Sequence, residues 1–411
     1  MTDNDRRKLV IVGASLAGLR AAEVLRAEGF AGSLTIVGDE PHLPYDRPPL
    51  SKQVLTSEGR PAGTELPLPE GLEARWQLGR AAVGLNPETR TVTLADGALI
   101  AYDGLLIATG SAARGRPAGL PAPPRGVMTL RGWDDALALR AALVPGRRLV
   151  VIGAGFLGGE IAAAARARGL DVTLVEAAAQ PLERAIGATA GAYIAALHRE
   201  AGIDLRTGTT VTDFHAAADG RLTGVRLSDG SGLPVDTAVL ALGAVPSTGW
   251  LAGSGLALDG GVHCDRYLRA LRADGSVVPG VVAAGDVARV PHRLADGERL
   301  ALGHWTNAVE QGTTAAHTLL APDAPEPFAG VPSFWSDLHG ARIRSVGLPA
   351  AADEARVVEH DLAGRRLEMS YHRAGRLIGA LTIGRTGRLA AYRNALHEQA
   401  PLPEAGPRAA A

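Results

Sequence analysis

Cysteine is almost absent: Cys264 is the only one in 411 residues. A single thiol cannot form an intrachain disulfide, a CxxC redox pair or a cysteine-rich metal site, so no metal centre is expected and Cys264 reads as a small buried apolar residue. Aromatic residues are scarce, with 5 tryptophans, 6 tyrosines and 5 phenylalanines, which gives weight to any adjacent aromatic pair. Neither charge sign dominates. The 42 Lys and Arg against 43 Asp and Glu argue against a generic nucleic-acid binder and leave room for a local patch facing one charged partner. Long hydrophobic runs are missing too. The stretch Thr237 to Leu258 is free of charge and long enough to cross a bilayer, but four glycines, Pro246, Ser247 and Thr248 break it into a strand followed by turns. The opening MTDNDRR lacks the features of a signal peptide. A cytoplasmic protein with no membrane association is the expectation.

What is present is an apolar-rich chain, 46% hydrophobic, too long for one core, so two or three domains are expected. Its organising stretch runs from Lys8 to Lys52. An apolar run, Leu9 to Val12, feeds Gly13-Ala14-Ser15-Leu16-Ala17-Gly18, then an Ala/Leu/Arg helix ending at Gly29, then a second apolar run, Leu34 to Val37. Glycines in such a strand-turn-helix-strand pattern allow a tight turn and close packing, and the helix amino end then offers free N–H groups to a diphosphate. Asp39 and Glu40 follow at about the 20-residue spacing of a ribose-binding carboxylate. Ser15 stands where a second glycine would let the backbone approach the phosphates.

The same plan returns. Leu149 to Ile152 lead into Gly153-Ala154-Gly155-Phe156-Leu157-Gly158-Gly159-Glu160, a helix to Gly169, and a strand, Val172 to Val175, closed by Glu176. Here all three motif glycines are present. Between the repeats, short strands with turns at Asn86-Pro87 and Asp96-Gly97 return to a buried strand ending in Thr109-Gly110, and a Pro/Gly/Arg linker, Ser111 to Gly126, marks a boundary. Beyond the second repeat, Ala238 to Gly243 and Val281 to Asp286 read as further buried strands, followed by a helix, roughly His304 to Leu320. From Ala324 an alternating pattern with turns at His339-Gly340, Ala363-Gly364 and Ala374-Gly375, closed by a helix near Leu389 to Gln399, reads as a small α+β domain. The terminal EAGPRAAA reads as a frayed tail.

The ordered set GASLAG, DEPHLPYDRPPLSK, ATG, GAGFLGGE, LGAVP, AAGD and FWSDL resembles the FAD-dependent, NADH-dependent ferredoxin reductases of oxygenase systems. These are the putidaredoxin-reductase and biphenyl-dioxygenase-reductase type, which share the glutathione-reductase fold with apoptosis-inducing factor. The resemblance spans about Lys8 to about His397. It implies an α/β protein with two Rossmann-like dinucleotide-binding domains and a small C-terminal α+β domain. FAD would occupy 1–112 with 245–323, NADH would occupy 113–244, and 324–411 would form a C-terminal interface domain.

For FAD, the turn Gly13, Ser15, Ala17, Gly18 would cradle the pyrophosphate, Asp39 or Glu40 would take the ribose, and Asp286 would hold the ribityl chain, a helix cap being its alternative reading. The resemblance adds Arg47, Ala82 and Arg131 as FAD-lining residues, and backbone contacts from His304 and Trp305 to the flavin ring. Many relatives have a glutamate where this chain has Gly303. For NADH, Gly153, Gly155, Phe156, Leu157, Gly158 and Gly243 would form the cradle. Glu176 would accept the free ribose 2′-OH and repel a 2′-phosphate, favouring NADH over NADPH. Arg184 is either a phosphate partner or a solvated arginine. Lys52 and Glu160 are the most informative pair: an ammonium beside the flavin favours its reduced state, and a carboxylate beside that ammonium fixes it. In the family the matching glutamate contacts the nicotinamide carboxamide. Trp335 matches an aromatic beside the flavin and nicotinamide, or else is an interdomain core residue.

No histidine is assigned to acid-base work, since transfer of hydride between stacked rings needs alignment. Without a cysteine pair, disulfide reduction is excluded and a small [2Fe-2S] ferredoxin, or another iron-sulfur carrier, becomes the expected electron acceptor, with the protein a monomer or weak homodimer. Arg342, Arg344, Arg356, Arg365, Arg366, Arg373 and Arg376, with Arg293 and Arg299, form either a basic docking face or a solvated surface. The rival readings are a rubredoxin reductase, an NADH dehydrogenase using quinone or oxygen, and an NADH-sensing flavoprotein.

Overall fold

A computed structural model describes residues 7–57, 59 and 63–398. Gln399 and the tail Glu404 to Ala411 lie outside the described residues. The chain divides into two compact units. One gathers the described residues of Met1–Arg47, Pro61–Ala112 and Ala244–Pro332; the other gathers those of Pro48–Arg60, Ala113–Gly243 and Ser333–Ala411.

The first unit is built on a six-stranded sheet ordered Arg269–Leu271, Val277–Ala283, Gly104–Ile107, Lys8–Val12, Ser33–Val37, Arg75–Gln77. All neighbours are parallel except the first pair. Leu9 to Val12 and Leu105 to Ile107 are buried, as both-faced covering of a parallel sheet requires. The chain leaves Lys8–Val12 to one side for Ser33–Val37 and returns on the other at Gly104–Ile107, which makes the carboxyl end of that strand a topological switch point. Helix Leu16–Ala27 buries Ala17, Gly18, Ala21 and Ala22. Helix Trp305–Leu320 crosses it where Gly312 lies so close that an added Cβ would stand 2.6 Å from the Ala17 carbonyl oxygen. A small antiparallel sheet, Ala82–Asn86, Thr91–Leu94 and Leu99–Ala101, completes the excursion.

The second unit repeats the plan with five parallel strands ordered Asp204–Arg206, Asp171–Val175, Arg148–Ile152, Thr237–Leu240, Val127–Met128. An antiparallel sheet, Val211–Ala216, Leu222–Leu227 and Gly232–Pro234, lies in the same unit. So does the C-terminal segment, a five-stranded antiparallel sheet ordered Ser333–Leu338, Ala341–Gly347, Arg376–Ile383, Arg366–Arg373, Glu354–Asp361, with helix Leu389–Glu398. Its apolar face, Ile343, Leu367, Met369 and Leu381, shares one core with Ile186, Tyr193 and Leu197 of helix Glu183–Glu200. Among the described residues, no helix is long and apolar enough to cross a membrane.

Candidate functional site

In the first unit, strand Lys8–Val12 delivers the backbone into a turn with little slack. Gly13 has φ +128°, and a Cβ there would stand 2.0 Å from the Ala108 carbonyl oxygen; one on Gly18 would stand 2.0 Å from the Gly13 oxygen. Only glycine satisfies both positions. Ser15 is extended, at φ −128° and ψ −163°, and its hydroxyl does not cap the helix. Ala17 is buried against the Gly312 crossing.

Beyond the second strand the two carboxylates part. Asp39 is exposed and accepts the Glu40 backbone N–H at 3.0 Å. Glu40 meets Arg47 at 2.6 Å and the Tyr45 hydroxyl, with the Arg47 guanidinium 5.1 Å from the Tyr45 ring centre. Burial works against ionisation of Glu40, but Arg47 and Tyr45 prevail and the net shift is downward.

Asp286 follows the strand Val277–Ala283 and accepts the Ser111 hydroxyl at 2.7 Å. A Cβ on Gly303 would lie 3.7 Å from its carboxylate. Burial lowers the pKa of His304 to about 4, against the pull of Asp286. The Trp305 indole N–H reaches Asp46 at 2.8 Å, tying the start of helix Trp305–Leu320 to the Tyr45-Asp46-Arg47 segment. Ala82 lies on the small antiparallel sheet of the same unit.

In the second unit, Gly153 has φ +104° with a Cβ position 2.4 Å from the Ala241 oxygen, and a Cβ on Gly158 would stand 1.9 Å from the Gly153 oxygen. Gly155 has no atom within 4 Å of where its Cβ would be. Glu176 turns back on the turn: Oε2 accepts the Ala154 N–H at 2.7 Å and Oε1 accepts the Ala178 N–H at 2.8 Å. Neither dinucleotide-type helix, Leu16–Ala27 or Phe156–Ala167, has an acidic residue in its first turn, whereas Trp133–Ala142 starts with Asp134 and Asp135. Their amino ends are therefore left for an anion. Leu157 is partly exposed beside the turn, and Gly243, at φ +89°, accepts the Arg114 N–H. Arg184 is exposed, with no ion-pair partner among the described residues.

Lys52 and Glu160 do meet. Lys52 Nζ lies 2.8 Å from Glu160 Oε2 and also donates to the Pro48 carbonyl at 3.1 Å. Two further partners escaped the sequence reading. Ser51 Oγ donates to Oε2 at 2.5 Å, and Ser336 Oγ donates to Oε1 at 2.5 Å. Both serines sit inside quoted motifs, RPPLSK and FWSDL, but a hydroxyl carries no charge or spacing signal.

Trp335 neighbours Ser336 on strand Ser333–Leu338 and points to the opposite face. Phe334, Ser336 and Leu338 lie toward helix Phe156–Ala167, with Phe334 and Phe156 ring centres 4.8 Å apart. Trp335, together with an edge of Phe334, lines a cleft of about 320 Å³ with Arg344, Leu389 and Arg393. Arg131 lies in the second unit, where its backbone N–H donates to Asp135 at 2.9 Å. Of the arginines expected to form that face, Arg344 pairs with Asp337, Arg356 with Glu354, Arg365 with Glu200 and Arg366 with Asp361.

Two closely pinned glycine turns at the carboxyl ends of parallel strands, each opening a helix with no acidic residue in its first turn, define a protein that takes two dinucleotides. The chain belongs to the pyridine nucleotide-disulphide oxidoreductase family, which matches residues 7–312, and carries a reductase C-terminal domain at residues 333–408. It is similar to rhodocoxin reductase of Rhodococcus erythropolis, 36% identical over 96% of this chain and 90% of the relative. It is also similar to the ferredoxin reductase component of chlorobenzene dioxygenase from Cupriavidus sp. (strain PS12), 39% identical over 82% and 80%. The solved covalent putidaredoxin reductase–putidaredoxin complex matches with a TM-score of 0.88 at 31% identity, over 95% of this chain and 93% of that one. The family and fold expected from the motifs are thus borne out. FAD and a nicotinamide nucleotide are the family's cofactors, and the two cradles fit them: their glycine positions are closed by protein backbone while the middle position of the second stays open. The disulphide in the family's name has no counterpart here, since the one thiol, Cys264, is fully buried and its pKa is pushed upward by that burial.

Proposed function

We propose that the protein takes hydride from NADH onto FAD and passes the electrons singly to a small [2Fe-2S] ferredoxin that feeds a monooxygenase or Rieske-type dioxygenase in the cytoplasm. FAD is assigned to 1–112 with 245–323, NADH to 113–244, and the partner-facing role to 324–411. Reductase components of dioxygenase systems among the relatives support this reading, and so does the lack of any cysteine pair. When bound, FAD supplies the exchange between two-electron and one-electron transfer.

The chain's own residues do the rest. Gly13 and Gly153, whose own N–H groups bond to Val37 and Val175, shape the two turns; Ser15, Ala17 and Gly18 then line the helix start that faces one diphosphate, and Gly155 and Gly158 the start that faces the other. Asp286 and the Arg47–Glu40 pair hold the sugar parts of FAD. Glu176, already fixed by two backbone N–H groups, accepts from a ribose 2′-OH and repels a phosphate, selecting NADH.

The observation that carries the reading is the pair formed by half-buried Lys52 and buried Glu160, 2.8 Å apart. It sets a fixed cation and a fixed acceptor where alignment, not acid-base work, governs the rate. Lys52→Ala should keep FAD bound yet slow anaerobic flavin reduction by NADH by about 10²-fold. Unchanged reduction kinetics would remove Lys52 from the mechanism.

A further inference from the structure

Glu160 is 7% exposed, and a carboxylate so placed is kept only where hydrogen bonds replace lost water. Among the described residues three donors meet it, two from the adjacent Ser51 and Lys52 and one from Ser336, far away in sequence. Ser51 Oγ and Lys52 Nζ share Oε2 at 2.5 and 2.8 Å, while Ser336 Oγ alone reaches Oε1 at 2.5 Å. Ser51 is 3% exposed and Ser336 0%, so neither hydroxyl has ready access to water. Both O–H···O⁻ contacts are as short as charge-assisted bonds become. An ionised carboxylate offers about four acceptor positions, two on each oxygen. Among the described residues two are filled on Oε2 and one on Oε1, leaving a single position, on Oε1.

The supports are themselves rigid. Phe156 and Glu160 are four residues apart on one helix face, and Phe334 and Ser336 are two apart on one strand face, so the Phe156–Phe334 ring contact at 4.8 Å and the Ser336–Glu160 bond lock the same register. Ser51 belongs to the short turn Pro48–Ser51 that also places Lys52, whose ammonium is steadied by the Pro48 carbonyl at 3.1 Å.

We propose that Ser51 and Ser336 are positioning residues that clamp the Glu160 carboxylate from both oxygens, leaving the one open acceptor position on Oε1 for the nicotinamide carboxamide N–H. This rests on the function proposed above and adds which groups orient Glu160 and which oxygen receives the amide. The clamp sets direction: with both hydroxyls in place the carboxylate cannot rotate, and the ring carrying the carboxamide is held in one orientation for transfer. Neither serine touches the reacting atoms in this account. Each acts through Glu160.

The test compares the holoprotein with Ser336→Ala, Ser51→Ala, Ser336→Thr and Glu160→Gln, alone and combined. Calorimetry measures binding of NAD⁺ and of its 3-acetylpyridine analogue, whose acetyl group cannot donate. The wild type should prefer NAD⁺ by about tenfold, each Ser→Ala variant should reduce that preference to about threefold or less, and Ser336→Thr, which keeps the hydroxyl, should restore it. In stopped-flow reduction, each Ser→Ala variant should lower the limiting rate by about tenfold with a much smaller change in the NADH dissociation constant. In the Glu160→Gln background the further loss should shrink to about twofold, because the serines act through that carboxylate. Equal losses in both backgrounds, or undiminished carboxamide discrimination in the Ser→Ala variants, would overturn the proposal. Should Ser336→Ala fail to fold, Ser51→Ala carries the same cycle through Oε2. A wild type that NADH does not reduce would instead refute the underlying function.

Discussion

In the first strand-turn-helix unit the middle position of the turn is Ser15; in the second it is Gly155. The positions on either side are closed in both, by carbonyl oxygens 2.0 to 2.4 Å from where a Cβ would stand at Gly13 and Gly153, and by oxygens 2.0 and 1.9 Å from Gly18 and Gly158. The middle position has no such neighbour in the second turn, and in the first it holds a serine in ordinary extended backbone. The outer glycines therefore serve the protein's own packing, and the middle one, which nothing in the fold requires, is left to the proposed approach of a ligand. A second contrast follows the second strand. Gly38 sits one residue past Val37, where a Cβ would press to 2.7 Å from that of Ala14; one residue past Val175, Glu176 reaches back to Ala154. One repeat fills that space by close packing, the other with a carboxylate, to which the proposed function gives the choice of nucleotide.

The largest effect should come from filling the closed positions. Gly18→Ala and Gly158→Ala should each destabilise their own unit by about 3 kcal/mol, seen in thermal unfolding, with Gly18→Ala also lowering the flavin content of the purified protein. Equal tolerance of alanine at Gly18 and at Gly155 would break the distinction drawn between outer and middle positions.

Acid should act next. Burial, with His339 at 2.9 Å, lowers the His198 pKa to about 3 in the fold, against an ordinary value near 6.5. The unfolded chain therefore binds the proton first, and stability present above about pH 6.5 is lost as pH falls toward 3. Between pH 7 and 5 the second unit should lose about 2 kcal/mol on this account. His198→Gln should flatten that part of the denaturation profile, and an unchanged profile would contradict it.

Glu176→Ala should lower kcat/KM for NADH by about tenfold, mostly through KM, and narrow the preference over NADPH. Steady-state kinetics with both nucleotides checks this, and a wild type that prefers NADPH would overturn the role of Glu176. The smallest effect belongs to Gly155→Ser, which copies the first turn into the second. Stability should stay within about 0.5 kcal/mol of wild type, while KM for NADH rises about fivefold.

Much of this architecture was legible because it rests on local chemistry. Glycines before helices, apolar runs of strand length and acids after the second strand are set by neighbours in sequence, and the two repeats and the C-terminal α+β segment were read from them. The packing of the C-terminal sheet on helix Glu183–Glu200 was not, because it depends on faces presented across 150 residues of chain. Lys52 and Glu160 were paired through the resemblance; their serine partners were not, since a buried hydroxyl leaves no periodicity. The arginines after Arg342 suggested a patch, yet Arg344, Arg356, Arg365 and Arg366 each have a carboxylate within 3.3 Å. Pairing of that kind is a property of the folded surface and leaves no mark on composition.

The central claim is that hydride enters as a pair of electrons and leaves as single ones. An anaerobic titration tests it most directly: NADH is added to the purified yellow protein, followed by an oxidised [2Fe-2S] ferredoxin, with flavin and iron-sulfur absorbance followed together. The account predicts that one equivalent of NADH bleaches the flavin and that two equivalents of ferredoxin restore it. A protein that is colourless even after reconstitution with FAD, or whose reduced flavin leaves the ferredoxin oxidised, would contradict it.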